Sequence, residues 1–252
     1  MHTKLLLATL LALPTLGFAQ RATSSEFVTE TARGITDVFD SGFDIVPYSL
    51  RDASIKGHAM LLPYWTPGTI LLAGNKKSAQ VPIKYDLYRQ QLRVRREKGD
   101  SIVVPVRGIQ EFTLSLLSKD GTQQVRRFVH YESPSLPEEL KETCVEVLGG
   151  DDHLQFLKLW RKNIVKVAES STNMALQTTA QAFNDNARYY LRWGHDGHTE
   201  PLRLKKSSLK EALAAQPSAL TALAARKGNL SSEAEMAAAI TAIGPTLITP
   251  NR

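Results

Sequence analysis

The chain has 252 residues, of which 42% are hydrophobic and 22% charged, and its formal net charge is +6. These values are ordinary for one or two globular domains, so they exclude an intrinsically disordered or collagen-like chain. A single cysteine, Cys144, excludes a disulfide scaffold and predicts a small buried apolar side chain, so stability has to come from packing.

The first nineteen residues, 1–19, have the order of a secretory signal peptide. Lys4 supplies a basic start, leucines and alanines dominate 5–13, and Gly17 and Ala19 place small residues before a cut at position 20. A membrane anchor is the alternative, but the apolar run is shorter than the about 20 residues that a spanning helix needs. No cysteine follows the cut to carry a lipid, and no later segment predicts a transmembrane helix. We expect export to the periplasm or the outer membrane, with release from the cell as an open alternative.

Residues 20–53 are weakly patterned and are predicted to form an N-terminal arm. The alternation typical of strands then runs over 54–206, interrupted by turn compositions rich in Gly, Asn, Asp and Lys. Within it, residues 168–186 are polar and Ala-rich without a firm period, which leaves a long loop or a short helix as the two interpretations.

The clearest alternation lies at 81–88, where apolar and polar side chains take turns, as in a strand with one buried face. Successive side chains of a strand lie on opposite faces of the sheet. We therefore expect Tyr85 and Leu87 to point into the core, and Lys84 and Asp86 to point outward.

Residues 207–252 change to a helical composition. Ser208 with Glu211 and Ser232 with Glu235 have the spacing of capping boxes, which begin helices. The predicted fold class is therefore α+β and mostly β, with antiparallel sheets forming a sandwich or a partly open barrel, followed by short C-terminal helices packed on it.

Side chains that bind metals gather at two turns, one of them at Asp151, Asp152 and His153. The other holds His195, Asp196, His198 and Glu200, but Asp196-Gly197 is a favoured pair for a two-residue hairpin turn, which explains the segment without a ligand. Motifs of Ser hydrolases, zinc proteases and phosphate-binding loops are missing. We expect no catalytic residues, metal or cofactor; a metal-dependent hydrolase that uses the His195/His198 region is the alternative.

Two further groups are candidates for ligand binding. Arg93 and Arg95 share a face of one strand and, with Arg127 on another, are candidates to attract polyanions such as lipopolysaccharide or acidic glycans. A solvated outer face is the competing interpretation. Tyr64 and Trp65 are a candidate sugar-stacking platform, against ordinary aromatic packing. No nucleic-acid partner is expected from the modest charge.

Several segments together resemble an uncharacterised family of exported Gram-negative bacterial proteins. They are Pro63-Tyr64-Trp65, Pro67-Gly68-Thr69-Ile70, Val81–Tyr88, Tyr189-Tyr190-Leu191 and Leu204–Leu209. The resemblance implies export and a shared β-rich scaffold, and it carries no activity or catalytic residues. The favoured hypothesis is a non-catalytic envelope protein with a binding or structural role; a module that binds polyanions or glycans is a further alternative.

Overall fold

The computed structural model describes residues 54–247, apart from positions 75, 79, 97–98, 169–178 and 195 and the side chain at position 76. The predicted signal peptide and N-terminal arm lie outside the described residues. The predicted class is confirmed: the chain forms two largely antiparallel sheets, followed by short helices.

The strands are β1 (Ile55–Lys56), β2 (Thr66–Gly68), β3 (Ile70–Leu72), β4 (Lys76–Lys77), β5 (Val81–Asp86), β6 (Gln91–Arg95), β7 (Ser101–Pro105), β8 (Ile109–Leu117), β9 (Gln123–Val129), β10 (Val145–Gly150), β11 (Leu154–Ala168), β12 (Thr179–Trp193) and β13 (Thr199–Leu202). The helices are α1 (Glu138–Lys141), α2 (Lys206–Ala212), α3 (Pro217–Ala224) and α4 (Glu233–Ile243), with 3-10 turns at Val106–Gly108 and Gly244–Leu247.

The larger sheet has the order β1-β12-β11-β10-β9-β8-β3-β4, and β13 also pairs with β12; the smaller sheet has the order β2-β5-β6-β7. Only the short β1–β12 pair is parallel among the described strands. The hairpin of β11 and β12 is paired from Leu154↔Trp193 to Ala168↔Thr179. The prediction of a loop or helix at 168–186 is therefore wrong from position 179 onward, because β12 gains its strand form by pairing with β11 rather than from an apolar pattern of its own.

The smaller sheet packs on β8 and β9 of the larger one, as in a sandwich. Tyr85 of β5 makes edge-on ring contacts with Phe112 and Phe128, at centroid distances of 5.2 and 5.8 Å. Cys144 is fully buried in the same core, as predicted. Burial raises the pKa of its thiol, so the reactive thiolate is disfavoured.

Beyond this sandwich, helices α2, α3 and α4 cover the face of β11 and β12 that carries Phe156 and Leu191. The predicted capping box is present at the start of α4, where Ser232 and Glu235 exchange hydrogen bonds with each other's backbone. No helix in the part of the chain described here is long and apolar enough to span a membrane.

The other predicted capping box is wrong. Helix α2 begins at Lys206, two residues before Ser208, and no side chain caps it. The Ser208 hydroxyl instead accepts a hydrogen bond from the backbone N–H of Arg203, at 3.1 Å, because the chain turns back on itself after β13.

Candidate ligand pocket

A cavity of about 310 Å³ opens on the outer face of the smaller sheet, beside the hairpin of β11 and β12. We call it the cationic pocket. It is lined by Gly57, His58, Ala59, Met60, Pro63, Trp65, Lys84, Arg93, Ser101 and Phe183. The lining residues thus come from both sheets and from the segment that leads into β2.

Strand register places two cations of the pocket side by side. Lys84 of β5 lies directly opposite Arg93 of β6. Because Thr66 pairs with Ile83, the same ladder brings Trp65 next to Lys84. The Lys84 amine lies 5.3 Å from the centre of the Trp65 ring and donates a hydrogen bond of 2.8 Å to the carbonyl of Pro63. One row across the sheet therefore presents an indole, an ammonium and a guanidinium.

Asp86 lies on the outer face of β5, as alternation predicts, but it is not exposed. Tyr85 and Leu87 are buried as expected, but Asp86 is fully buried too. Its Oδ1 accepts the backbone N–H groups of Tyr88 and Arg89, at 3.0 and 2.9 Å, so the turn after β5 folds back over it. Its Oδ2 lies 3.3 Å from Arg89 and 3.7 Å from Arg93, so these guanidinium groups cover and neutralise the carboxylate.

The carboxylate of Asp86 does not balance all of the positive charge around the pocket. This carboxylate lies on the same outer face as Lys84 and Arg93 but is shared by Arg89 and Arg93, and Lys84 has no carboxylate partner among the described residues. Loss of hydration, and secondly the charge of Arg93, hold the pKa of Lys84 below its usual value of 10.5. Like charges that face each other across a strand pair are destabilising, so the pair carries a free-energy cost.

The structure brings together two of the five residues predicted to bind a ligand. Trp65 and Arg93 both line the cationic pocket. Arg95 is exposed and lies opposite Ser101, a lining residue, at the border of the pocket. Tyr64 remains 55% exposed and is not among the lining residues. Arg127 lies on β9 of the other sheet, where its Nη2 meets Glu111 at 2.8 Å.

Several other basic residues form ion pairs with carboxylates. The pairs are Arg89–Asp86, Arg96–Asp100, Arg126–Glu146, Lys158–Glu233 and Lys162–Asp185. The positive charges of these residues are therefore offset within the fold.

The histidine-rich turn differs from the predicted hairpin. The N–H of Trp193 bonds to the carbonyl of His198, so the connection between these two residues is longer than a two-residue turn. Gly197 has a positive φ of 69°, but Asp196 is not among the residues with positive φ. Its carboxylate instead accepts the N–H of His198, at 2.8 Å. The expected two-residue turn is wrong because this side-chain bond closes a longer loop.

No group of three or more His, Cys, Asp or Glu residues within the described ranges is arranged to hold a metal ion. His195 lies outside those residues, so the predicted absence of a metal there stays a prediction. Asp151 has a structural role: its carboxylate accepts the backbone N–H groups of His153 and Leu154, at 2.9 and 3.1 Å.

The lining residues that were not predicted to bind a ligand include Lys84, Met60 and Phe183. Met60 and Phe183 reach the pocket through long-range contacts that no local pattern reveals. Lys84 did carry a signal. Asp86 and Gln91 pair at the turn between β5 and β6. Two residues further from the turn on each strand, Lys84 therefore lies opposite Arg93. Like charges that face each other across a hairpin repel, so this pair could have been added to the candidate anion-binding residues from the sequence.

Comparison with protein-family models gives no match, and comparisons with curated proteins and with solved structures give none either. The resemblance to an exported Gram-negative family therefore stays a prediction. The functional argument rests on the pocket itself.

Proposed function

We propose that the protein is an exported, non-catalytic binding protein of the cell envelope that recognises anionic groups of an envelope glycan at the cationic pocket. The observation that carries the proposal is the facing pair of Lys84 and Arg93 beside the Trp65 ring. Export rests on the leader-like order of residues 1–19 and on the resemblance described above.

Binding fits the pocket better than catalysis does. Its lining contains two cations, the imidazole of His58, the hydroxyl of Ser101 and apolar side chains, but no carboxylate and no cysteine, and no hydrogen bond joins Ser101 to His58 among the described residues. A hydrolase normally needs a nucleophile or a general base held by an orienting partner. The lining does supply what an anion needs, namely charge-assisted N–H donors next to a surface that excludes water.

The test is calorimetric binding of a heparin tetrasaccharide, a soluble probe with carboxylate and sulfate groups, to the exported protein. We expect Lys84→Gln to weaken binding at least about tenfold, because a hydrogen bond to a charged group contributes roughly 1.5–3 kcal/mol. Affinity should also fall as salt is raised.

Arg127→Gln is the matched control, because it removes the same charge from a site on the other sheet that already has Glu111 as a partner. Equal losses in the two variants would show that general surface charge attracts heparin and would contradict the proposal. Absence of binding by the unmodified protein would do so as well.

A further inference from the structure

We infer that the natural occupant of the cationic pocket is a single sugar ring that bears one carboxylate, as in a uronic acid unit of an acidic glycan. This inference rests on the proposed function and names its ligand class. Three properties of the pocket lead to it: its size, its charge and its apolar wall.

The size selects one small unit. A volume of about 310 Å³ lies at the lower end of the about 300–1,000 Å³ that ligand pockets span. One sugar ring with its substituents suits such a volume, whereas an extended oligosaccharide would leave most of its length outside. The pocket therefore recognises one unit of a chain, or its end.

The charge selects one negative group. Two cations line the cavity, but Arg93 shares its charge with the buried carboxylate of Asp86, 3.7 Å away. The excess facing the ligand is therefore less than two charges. A carboxylate matches this excess, and its two coplanar oxygens can accept from the Lys84 ammonium and the Arg93 guanidinium at once.

A phosphate group is a poorer match. Arginine and lysine bind phosphate as well as carboxylate, but many phosphate sites add several backbone N–H groups at a helix N-terminus or in a nest of turns. The cationic pocket is built from strands and connecting segments, and none of the described helices begins among its lining residues. Its charged donors are the two side chains already named.

The apolar wall selects a ring. Trp65, Met60 and Phe183 line the same cavity as the cations. The indole of Trp65 is only half-buried, although the Lys84 amine lies over it. Aromatic rings combine apolar faces with the ability to lie beside polar groups. The C–H face of a pyranose can therefore cover the Trp65 ring while its carboxylate reaches the cations, and Ser101 and His58 are near enough to the cavity to meet its hydroxyls.

The experiment compares ligands that share one ring and differ in charge: methyl glucuronide, methyl glucoside and glucose 6-phosphate. Binding is measured by calorimetry and by the emission of Trp65. We expect the glucuronide to bind at least about tenfold more tightly than either of the others. It should shift tryptophan emission to shorter wavelength as the indole leaves water.

Trp65→Leu should abolish the emission shift and weaken glucuronide binding several-fold, while Arg127→Gln leaves both unchanged. Equal binding of the glucuronide and the phosphate would overturn the assignment of a carboxylate, and equal binding of the neutral glucoside would overturn the role of charge. If heparin binds through Lys84 but the glucuronide does not, the ligand class is wrong and the proposed function survives. If neither binds, the proposed function itself fails.

Discussion

The protein contains two groups of charged side chains next to aromatic rings, and they are built in opposite ways. One is the cationic pocket. The other, which we call the interior charge cluster, consists of Arg126, Glu146, Lys158, Trp160 and Glu233. The cluster lies where the smaller sheet and the C-terminal helices meet on the larger sheet. Two of its members, Glu146 and Lys158, belong to one row across five strands, Phe112–Phe128–Glu146–Lys158–Tyr189.

Every charge of the interior cluster has a partner of opposite sign. Arg126 donates two hydrogen bonds to Glu146, at 2.6 and 2.7 Å. Lys158 donates to Glu233 at 2.6 Å and lies 3.5 Å from the centre of the Trp160 ring. Glu233 also accepts from the Tyr189 hydroxyl at 2.7 Å. Since Glu233 begins α4, the cluster fastens the helical end to the sheet.

The contrast distinguishes charges that the fold pairs with each other from charges that we propose bind a ligand. In the interior cluster, cations and carboxylates alternate, so the fold itself satisfies them. In the cationic pocket, Lys84 and Arg93 face each other, and the carboxylate of Asp86 beside them is shared by Arg93 and Arg89. Substitutions in the interior charge cluster should therefore lower stability and leave ligand binding unchanged. Substitutions in the cationic pocket should weaken ligand binding and leave stability nearly unchanged.

The largest expected effect follows from Glu146→Leu. This change leaves the guanidinium of Arg126, which is only 15% exposed, without its carboxylate. Removing one partner of a buried ion pair typically lowers the free energy of unfolding by about 3–5 kcal/mol. Urea unfolding monitored by circular dichroism measures the change.

A second variant keeps this prediction specific to charge. In Glu146→Leu/Arg126→Met no charge is left uncompensated, so the stability lost through the unpaired guanidinium should return, while the hydrogen bond of 2.5 Å from the Trp160 indole N–H to Glu146 stays lost. The exposed pair Arg107–Glu142 gives the surface control, and Glu142→Gln should leave the unfolding midpoint nearly unchanged. If the double variant is no more stable than Glu146→Leu, lost packing rather than unpaired charge explains the effect.

The sequence predicted the fold class and the inward face of β5 because both depend on local periodicity. Asp86 shows the limit of that reasoning: alternation assigned its direction correctly, but two arginines and a turn bury it. The grouping of the pocket residues could not be predicted either, because it also depends on contacts between distant parts of the chain. Trp65 and Arg93 were identified one at a time, and only the strand register brings them to one cavity with Phe183 of a distant hairpin.

A smaller effect is expected when the carboxylate of Glu233 is protonated. Burial by itself raises its pKa, but the hydrogen bonds from Lys158 and Tyr189 and the charge of the lysine outweigh this, so the pKa lies below the usual 4.5. A lowered pKa stabilises the fold above the unfolded-state value, and this contribution is lost as pH falls through the folded-state value.

Stability measured from about pH 6 to about pH 3 should therefore fall more steeply in the unmodified protein than in Glu233→Gln. Glu138→Gln, at an exposed pair with Lys141, is the control and should keep the steep slope. Parallel curves for the unmodified protein and Glu233→Gln would mean that Glu233 does not contribute to acid sensitivity.

The smallest expected effect on stability is that of Lys84→Met. This variant tests most directly the contrast between the cationic pocket and the interior charge cluster. Loss of hydration and the charge of Arg93 lower the pKa of Lys84 in the folded state, so its charged form is less favourable there than in the unfolded chain. Its amine contacts the carbonyl of an exposed proline, which water can satisfy instead. Methionine keeps the length of the side chain and removes the repulsion. The variant should therefore unfold at the same temperature as the unmodified protein or slightly above it, even though it loses the anion.

The lowered pKa of Lys84 also determines how the melting temperature of the variant should depend on pH. The penalty for a lysine with a lowered pKa is complete below the folded-state pKa and fades as pH rises toward the unfolded value of about 10.5. Any gain in melting temperature of Lys84→Met should thus be greatest near neutral pH and shrink in alkaline buffer, as measured by calorimetry at several pH values. A variant that melts several degrees lower at neutral pH would place Lys84 among the structural charges, like those of the interior charge cluster, and would remove the main reason to regard the facing cations as a binding site.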